Sequence, residues 1–445
     1  VRFGPAGPLR GTLRPPPDKS ISHRAALIAA MGEGETSVEG YLDAADTRST
    51  LSAVRSLGAE VEIDSDEADG SGGFREDWGG SGMPVEGLLR IRGVGLREAR
   101  SAAIDVGNAG TLLRLLPGWL AGQPAGSWRV DGDDSIRRRP VDRIAEPLGR
   151  MGARVEARNG RLPPLRIDAA PLRGVEYRLP VASAQVKSCL LFAGLLAEGE
   201  TRIVEPQRTR DHTERMLAAA GADIRRDGEA VVVQPAEQLA IERIVVPADF
   251  SSAAFFVAAA LLVPGSEVSL TGVGLNPTRT GLLSILERMG ARIEVIPEGE
   301  EGGEPTGTVV SHASELHGTD VGGVEVPLAI DELPLVALAA CFAEGETTIR
   351  DAAELRRKES DRIATVAAAL TALGGRVEAS EDGMRIEGTG GLRGGAIDSH
   401  GDHRIAMLGA IAGIPSREGV EVTGMDAAAV SYPGFERDLH LLATS

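Results

Sequence analysis

The chain has 445 residues, 42% of them hydrophobic and 25% charged. That is long enough for a substantial buried core and too long for one typical domain, so two domains are expected. A formal net charge of −18 argues against nucleic acid or an anionic membrane surface as partner, yet leaves room for a small anionic substrate held by a local cluster of cations.

Aromatic residues make up only 3%, so the core has to be built from Ala, Leu, Val and Ile. The two cysteines, Cys189 and Cys341, lie in apolar runs and read as buried free thiols in a reducing compartment. Residues 1–14 show neither a signal-peptide core nor a basic amphipathic presequence, and no apolar run reaches membrane-spanning length. A cytoplasmic location is therefore expected. Of the 47 basic residues, three are lysines: Lys19, Lys187 and Lys358. In so Arg-biased a chain, each lysine is a candidate for a task that needs a compact, mobile charge.

Along the chain one pattern recurs six times: a small-residue helix, a Gly-bounded turn and a strand, then a second helix with a Leu-Gly-Ala-like stop and another strand. The first copy runs from Ser20 to Leu57-Gly58-Ala59, the second from Asn108 to Met151-Gly152-Ala153, the third from Ser183 to Ala220-Gly221-Ala222. The fourth runs from Ser251 to Met289-Gly290-Ala291, the fifth from Asp331 to Leu373-Gly374-Gly375, and the sixth starts at Asp402 and is truncated. A glycine after the last apolar residue suits the left-handed helix stop, and the β-branched run beyond it suits a strand. First helices such as Ala253–Leu262 are apolar nearly all round, which predicts burial behind sheets. Six units suggest two α/β domains of three repeats, helices inside and sheets outside. Pro15-Pro16-Pro17 and Val246-Pro247-Ala248 are the expected crossings, giving one domain of 1–17 plus 247–445 and another of 18–246. Two acidic, Gly-rich stretches, 64–87 and 297–307, read as surface loops without function.

The helix starts carry the chemistry. Free N–H groups and a partial positive charge suit them to anions, and several bear small polar residues with a cation close by: Asp18-Lys19-Ser20 with Arg24, Asn108-Ala109-Gly110-Thr111 with Arg114, Ser183-Ala184-Gln185 with Lys187, and Asp402-His403-Arg404. Capping alone accounts for any one of them; four in matching repeat positions suggest a pooled anion site in an interdomain cleft. Further cations lie in Arg137-Arg138-Arg139, Thr209-Arg210-Asp211-His212 and Arg356–Arg362, where Lys358 and Arg362, four apart, are expected to share a helix face. Asp331-Glu332 opens an apolar helix, either as a cap or as a general base beside the cations, and Glu359 is a second acid or base candidate. No Walker motif and no Gly-x-Ser-x-Gly elbow occur, and His400 and His403 lack the further ligands that zinc needs.

In this order, Asp18-Lys19-Ser20 with Arg24, Asn108-Ala109-Gly110-Thr111, Arg139-Pro140, Ser183-Ala184-Gln185, Thr209-Arg210-Asp211-His212, Asn276-Pro277-Thr278-Arg279, Ile330-Asp331-Glu332, Leu355–Arg362 and Asp402-His403-Arg404 resemble the 5-enolpyruvylshikimate-3-phosphate synthase family over essentially the whole chain. Ser-Ala-Gln and Thr-Arg-Asp-His look like its second bacterial class. The resemblance implies an inverted α/β prism of two domains, each of three βαβαββ units. It also implies transfer of the enolpyruvyl group of phosphoenolpyruvate to the 5-hydroxyl of shikimate 3-phosphate, with no metal or organic cofactor and a monomeric protein. By position, it places Lys19, Gly110, Arg139, Gln185, Arg362 and Arg404 at phosphoenolpyruvate. It places Lys19, Ser20, Arg24, Ser183, Ala184, Gln185, Arg210, Asp331 and Lys358 at shikimate 3-phosphate. Asp331 would take the 5-hydroxyl proton, and Glu359, with Lys19, would handle the proton at the methylene carbon.

Two departures matter. Ala428–Pro433 lacks a lysine that some members carry there, and Ala184 stands where the other class has a second serine. Gly110 leaves the donor pocket without an extra methyl, so inhibition by glyphosate is an expectation. A UDP-N-acetylglucosamine enolpyruvyltransferase is the nearest alternative, although residues 131–138 hold no cysteine. A non-catalytic anion-binding repeat protein is the other.

Overall fold

The computed structural model describes residues 1–64 and 87–444. The chain forms two compact units, one of Val1–Pro16, Pro247–Glu300 and Pro305–Ser445, the other of Pro17–Val246 with Glu301–Glu304. The second unit contains the plainest copy of the repeat. Strand Ala103–Asp105, helix Gly110–Ala121, strand Ser127–Asp131, helix Asp142–Arg150 and strands Arg154–Arg158 and Leu162–Asp168 follow in order. The first two strands pair in parallel; the last strand inserts antiparallel between the second and the third. Residues 176–233 repeat this layout around helices Ala184–Leu196 and His212–Ala219. The opening copy, around helices Lys19–Met31 and Ala45–Ser56, borrows its outer strand: Arg243–Val245 pairs parallel to Glu35–Glu39.

The other unit follows the same plan around helices Phe250–Leu262, Leu333–Phe342 and His403–Gly413. Here too the sheets borrow strands. Arg10–Leu13 pairs with Glu267–Gly274, and Arg2–Phe3 pairs with Val420–Thr423, completing the truncated last repeat. The chain thus makes five four-stranded sheets and one of three strands among the described residues. Strands such as Ser127–Asp131 alternate exposed and buried, whereas Phe250–Leu262 is buried at every position. Each unit therefore has helices inside and sheets outside, with its own apolar core.

The helix stops are as the sequence predicts. At Gly58, Gly152, Gly221, Gly290 and Gly374 φ lies between 90° and 108°. The next residue donates its N–H five positions back in each case, as in Ala59 N to Val54 O at 3.0 Å and Ala291 N to Leu286 O at 2.9 Å. Gly118 serves another purpose. A β-carbon there would lie 2.0 Å from the Cys189 carbonyl oxygen, so its absence lets helices Gly110–Ala121 and Ala184–Leu196 touch backbone to backbone. Cys189 and Cys341 are buried free thiols, and burial pushes Cys341 up to about 12.

One expected loop is not a loop. Residues 297–307 belong to a hairpin of Arg292–Glu301 and Glu304–His312, turning at Gly302 (φ 58°) and Gly303 (φ 82°). Two successive left-handed residues form the tight turn that matches strand twist, and glycine meets that demand. Acidic, Gly-rich composition conceals an exposed strand here. The other expected loop, 64–87, lies almost wholly outside the described residues.

Candidate active site

In the unit built on Pro17–Val246, the starts of three long helices converge. Asp18 caps Lys19–Met31 by accepting from Ile21 N at 2.9 Å, and Ser183 caps Ala184–Leu196 through Val186 N at 3.4 Å. Gly110–Ala121 starts without a side-chain cap. The last two helices are joined by a fixed amide: Gln185 Oε1 accepts from Arg114 NH1 at 2.9 Å, and Gln185 Nε2 donates to Thr111 Oγ1 at 3.2 Å. Arg139 reaches the same place, since a methyl on Gly110 would fall 2.5 Å from its NH1. Its neighbours do otherwise. Arg137 clamps Asp131 through two bonds of 3.0–3.1 Å, and Arg138 bonds the Asp134 carbonyl.

Lys19 is partly exposed and pairs with Asp46 at 3.1 Å. Ser20, Ser183, Ala184, Gln185 and Arg210 are half-buried around these helix starts and the third-repeat connector. Arg24 is buried, yet its three direct partners are neutral: Thr213 Oγ1 (2.7 Å), Ser188 Oγ (3.1 Å) and the Ser20 carbonyl (2.9 Å). Burial lowers its guanidinium to about 10, against the pull of Asp18 and Glu214, so it stays charged at neutral pH. Beside it, His23 is fully buried with Nδ1 2.7 Å from Thr50 Oγ1, and burial lowers it to about 4.

Lys187 does not join this group. It is wholly buried, with Nζ 3.0 Å from Glu205 and 2.6 Å from Glu214. Four residues into its helix, it has passed from the N-terminal rim into the core, where a lone ammonium needs carboxylates.

The other unit has its own convergence, at the starts of Phe250–Leu262, Leu333–Phe342 and His403–Gly413. Asp331 is nearly buried at 8% exposure. Its Oδ1 lies 3.2 Å from both Lys358 Nζ and Arg362 NH1, and its carbonyl accepts from Arg404 NH1 at 3.0 Å. Arg362 is enclosed by three carboxylates: Asp402 through Nε (2.8 Å) and NH2 (3.1 Å), Glu359 (2.6 Å) and Asp331. Burial alone would lower the Arg362 guanidinium, but Glu359, Asp402 and Asp331 outweigh it and raise it. Asp402 shows the converse: despite its burial, Arg362 holds the carboxyl below its usual range. Asp402 also caps its helix through Arg404 N at 2.9 Å and accepts from Ser360 Oγ at 3.0 Å.

Two expectations change. Lys358 and Arg362 do not share a helix face, because Lys358 is extended (φ −82°, ψ −157°) and the helix starts only at Arg362, capped by Asp361. They meet because both reach one oxygen of Asp331. Nor is Asp331 a helix cap; the residue at that position, Glu332, makes no side-chain cap bond. Glu332 is buried instead against Ser251 Oγ and Arg404. The sequence marked Arg114 and Asp402 only as parts of anion-binding helix starts and Glu332 only beside Asp331, and it gave Arg279 no role beyond its place in a motif. Arg279 is set by the turn in which Asn276 Oδ1 accepts from Thr278 N at 2.9 Å, and it bonds Asp249 at 3.1 Å. Asn276–Arg279 and Asp402 stand in the quoted motifs, so their signal was present. The segment Ala428–Pro433 is structural: Tyr432 is buried and donates to Asp438 at 2.8 Å.

Each unit thus presents helix starts and cations suited to anions, and one adds two carboxylates able to carry protons. A family model described as EPSP synthase (3-phosphoshikimate 1-carboxyvinyltransferase) matches residues 4–74 and 86–439. The chain belongs to the EPSP synthase family. It is 45% identical to the 3-phosphoshikimate 1-carboxyvinyltransferase of Desulfitobacterium hafniense strain DCB-2, over all of this chain and 98% of the relative. It is 43% identical to that of Bacillus subtilis, over 98% of this chain and 97% of the relative. An EPSP synthase structure from Acinetobacter baumannii superimposes with a TM-score of 0.85 at 40% identity, covering 99% of this chain and 97% of the other. The six-repeat α/β architecture is that of EPSP synthases, and the activity is 3-phosphoshikimate 1-carboxyvinyl transfer in the shikimate pathway of aromatic amino acid biosynthesis. No helix among the described residues is long and apolar enough to cross a membrane.

Proposed function

We propose that the two clusters serve one reaction, in which the 5-hydroxyl of shikimate 3-phosphate adds to C2 of phosphoenolpyruvate and phosphate leaves from a tetrahedral intermediate. The observation that carries this reading is Asp331, a nearly buried carboxylate aimed by Lys358 and Arg362, each 3.2 Å from the same oxygen. Glu359, one bond from Arg362 and a third exposed, donates a proton to the methylene carbon, with Lys19 assisting. C2 becomes electrophilic; the 5-oxygen adds as Asp331 removes its proton. Glu359 then takes a proton back from the methyl group as phosphate leaves, and the proton held by Asp331 departs with the phosphate, which restores the enol ether and both carboxyl groups to their starting states. Both substrates are anions, and their approach is favoured by cations already in place. Lys19, Arg139, Arg362 and Arg404, with Gly110 and Gln185, hold phosphoenolpyruvate. Lys19, Ser20, Arg24, Ser183, Ala184, Gln185, Arg210, Asp331 and Lys358 hold shikimate 3-phosphate. The enzyme works as a cytoplasmic monomer without metal or organic cofactor.

The test is phosphate release from phosphoenolpyruvate, offered shikimate 3-phosphate or UDP-N-acetylglucosamine in separate reactions. Release with the first alone is expected. Release with the second alone would overturn the acceptor, and silence with both would favour anion binding without chemistry.

A further inference from the structure

Among the described residues, most buried cations are met by carboxylates: Arg362 by three, Lys187 by two, Arg279 by Asp249. Arg24 is different. It is 3% exposed, and none of its direct partners is charged. Two of those partners are hydroxyls, Thr213 and Ser188, each 1% exposed and 2.6 Å apart.

The proton directions in this group follow from counting. Ser188 has one proton, and Ser188 Oγ lies 2.7 Å from the Ala184 carbonyl, which can only accept. Thr213 therefore donates to Ser188. Its own oxygen accepts from Arg24 Nε, which can only donate. The chain runs one way: Arg24 Nε–H to Thr213, Thr213 to Ser188, Ser188 to Ala184 O, with Arg24 NH2 as a second donor to Ser188. It joins three elements: helix Lys19–Met31, helix His212–Ala219 and the first turn of Ala184–Leu196. A guanidinium has five N–H groups, and the three bonds to Thr213, Ser188 and Ser20 leave two for a ligand.

We propose that Thr213 and Ser188 are positioning residues for the phosphorylated acceptor: the hydroxyl pair fixes the plane of Arg24 and ties it to the turn bearing Ser183 and Gln185, without neutralising its charge. A carboxylate in place of Thr213 would fix the plane equally well, but it would spend the charge that an anionic ligand needs. Neutral hydroxyls keep it available. This rests on the reading that Arg24 holds shikimate 3-phosphate.

Thr213→Val keeps the volume and removes both the acceptor for Arg24 and the donor to Ser188. A bond to a fixed cation serves ground state and transition state alike, so its loss acts on KM more than on kcat. The expected result is a rise of about tenfold in the KM for shikimate 3-phosphate, with kcat and the KM for phosphoenolpyruvate within about twofold. Thr213→Ser, which restores the hydroxyl, should return the KM to the parent value, and Ser188→Ala should raise the same KM. Arg24→Gln separates the two levels of the argument. If Arg24→Gln raises the acceptor KM while Thr213→Val and Ser188→Ala do not, the positioning role is overturned and Arg24 keeps its own. If Arg24→Gln leaves the acceptor KM unchanged, the reading of Arg24 fails and the inference with it. A Thr213→Val effect shared by both substrates, accompanied by a lower melting temperature and not rescued by serine, also overturns it.

Discussion

Gly110→Ala adds one methyl at the start of helix Gly110–Ala121. That methyl would sit 2.5 Å from Arg139 NH1 and 3.4 Å from Arg114 NH1. Since nonbonded contact settles near 3.5 Å, Arg139 has to withdraw by about 1 Å, while Arg114 barely feels the change. The clash is with the far end of a flexible side chain, so the backbone can stay where it is. Alanine is also the better helix former, by up to about 1 kcal/mol. Stability should therefore hold or rise slightly. Affinity for an anion should fall, because a charge-assisted hydrogen bond contributes about 1.5–3 kcal/mol. Losing most of it raises the KM for phosphoenolpyruvate roughly ten- to a hundredfold. The assay is phosphate release at saturating shikimate 3-phosphate with phosphoenolpyruvate varied, alongside a thermal melt. A KM within twofold of the parent, in a protein that melts normally, would refute the placement of Arg139 at the donor.

Asp331→Ala should cut turnover by roughly a thousandfold, the scale of a general base, while calorimetry still detects shikimate 3-phosphate binding; undiminished turnover would remove Asp331 as the base. Lys187→Met leaves Glu205 and Glu214 buried without their cation and should cost about 3–5 kcal/mol, read as a lower urea midpoint; an unchanged midpoint would show that the network adds nothing to stability. His23 makes a prediction about pH. Its folded value of about 4 lies below the ordinary 6.5 of an exposed imidazole, so between them the unfolded chain binds the extra proton. The contribution, about 3 kcal/mol, is complete above pH 6.5 and is lost as pH falls toward 4. His23→Gln should flatten stability over that window, and an identical slope would exclude His23 as its source.

Much of the fold was legible because the same local signals recur six times. A Leu-Gly-Ala stop has one physical reading, and all five glycines in that position took it. Helices without a polar face, such as Phe250–Leu262, could only be interior. The hairpin of 292–312 was misread because its strand Arg292–Glu301 is exposed nearly throughout, so no alternation marks it. The candidate site residues stand at helix starts and connectors, where sequence shows which charges exist but not what they face. Lys187 and Lys19 look alike in the sequence, yet a few residues of helix separate a core ion pair from a partly exposed cation. Lys358 and Arg362 were expected to share a helix face and meet instead because two segments reach one oxygen of Asp331. The bonds from Thr213 and Ser188 to Arg24 span 189 and 164 residues, and no local pattern can announce such partners.

The borrowed strands set an order of assembly during synthesis. At about 5–20 residues per second, Arg10–Leu13 waits roughly 10–50 seconds for Glu267–Gly274, and Arg2–Phe3 waits longer still for Val420–Thr423. The unit of Pro17–Val246 can close its last sheet in the meantime, when Arg243–Val245 emerges. Unpaired strands are hazards for misassociation in proportion to their length and apolar character. The segment that waits longest is two residues long, and the other reads Arg-Gly-Thr-Leu. These two waiting strands therefore offer little that a neighbouring ribosome's product could capture.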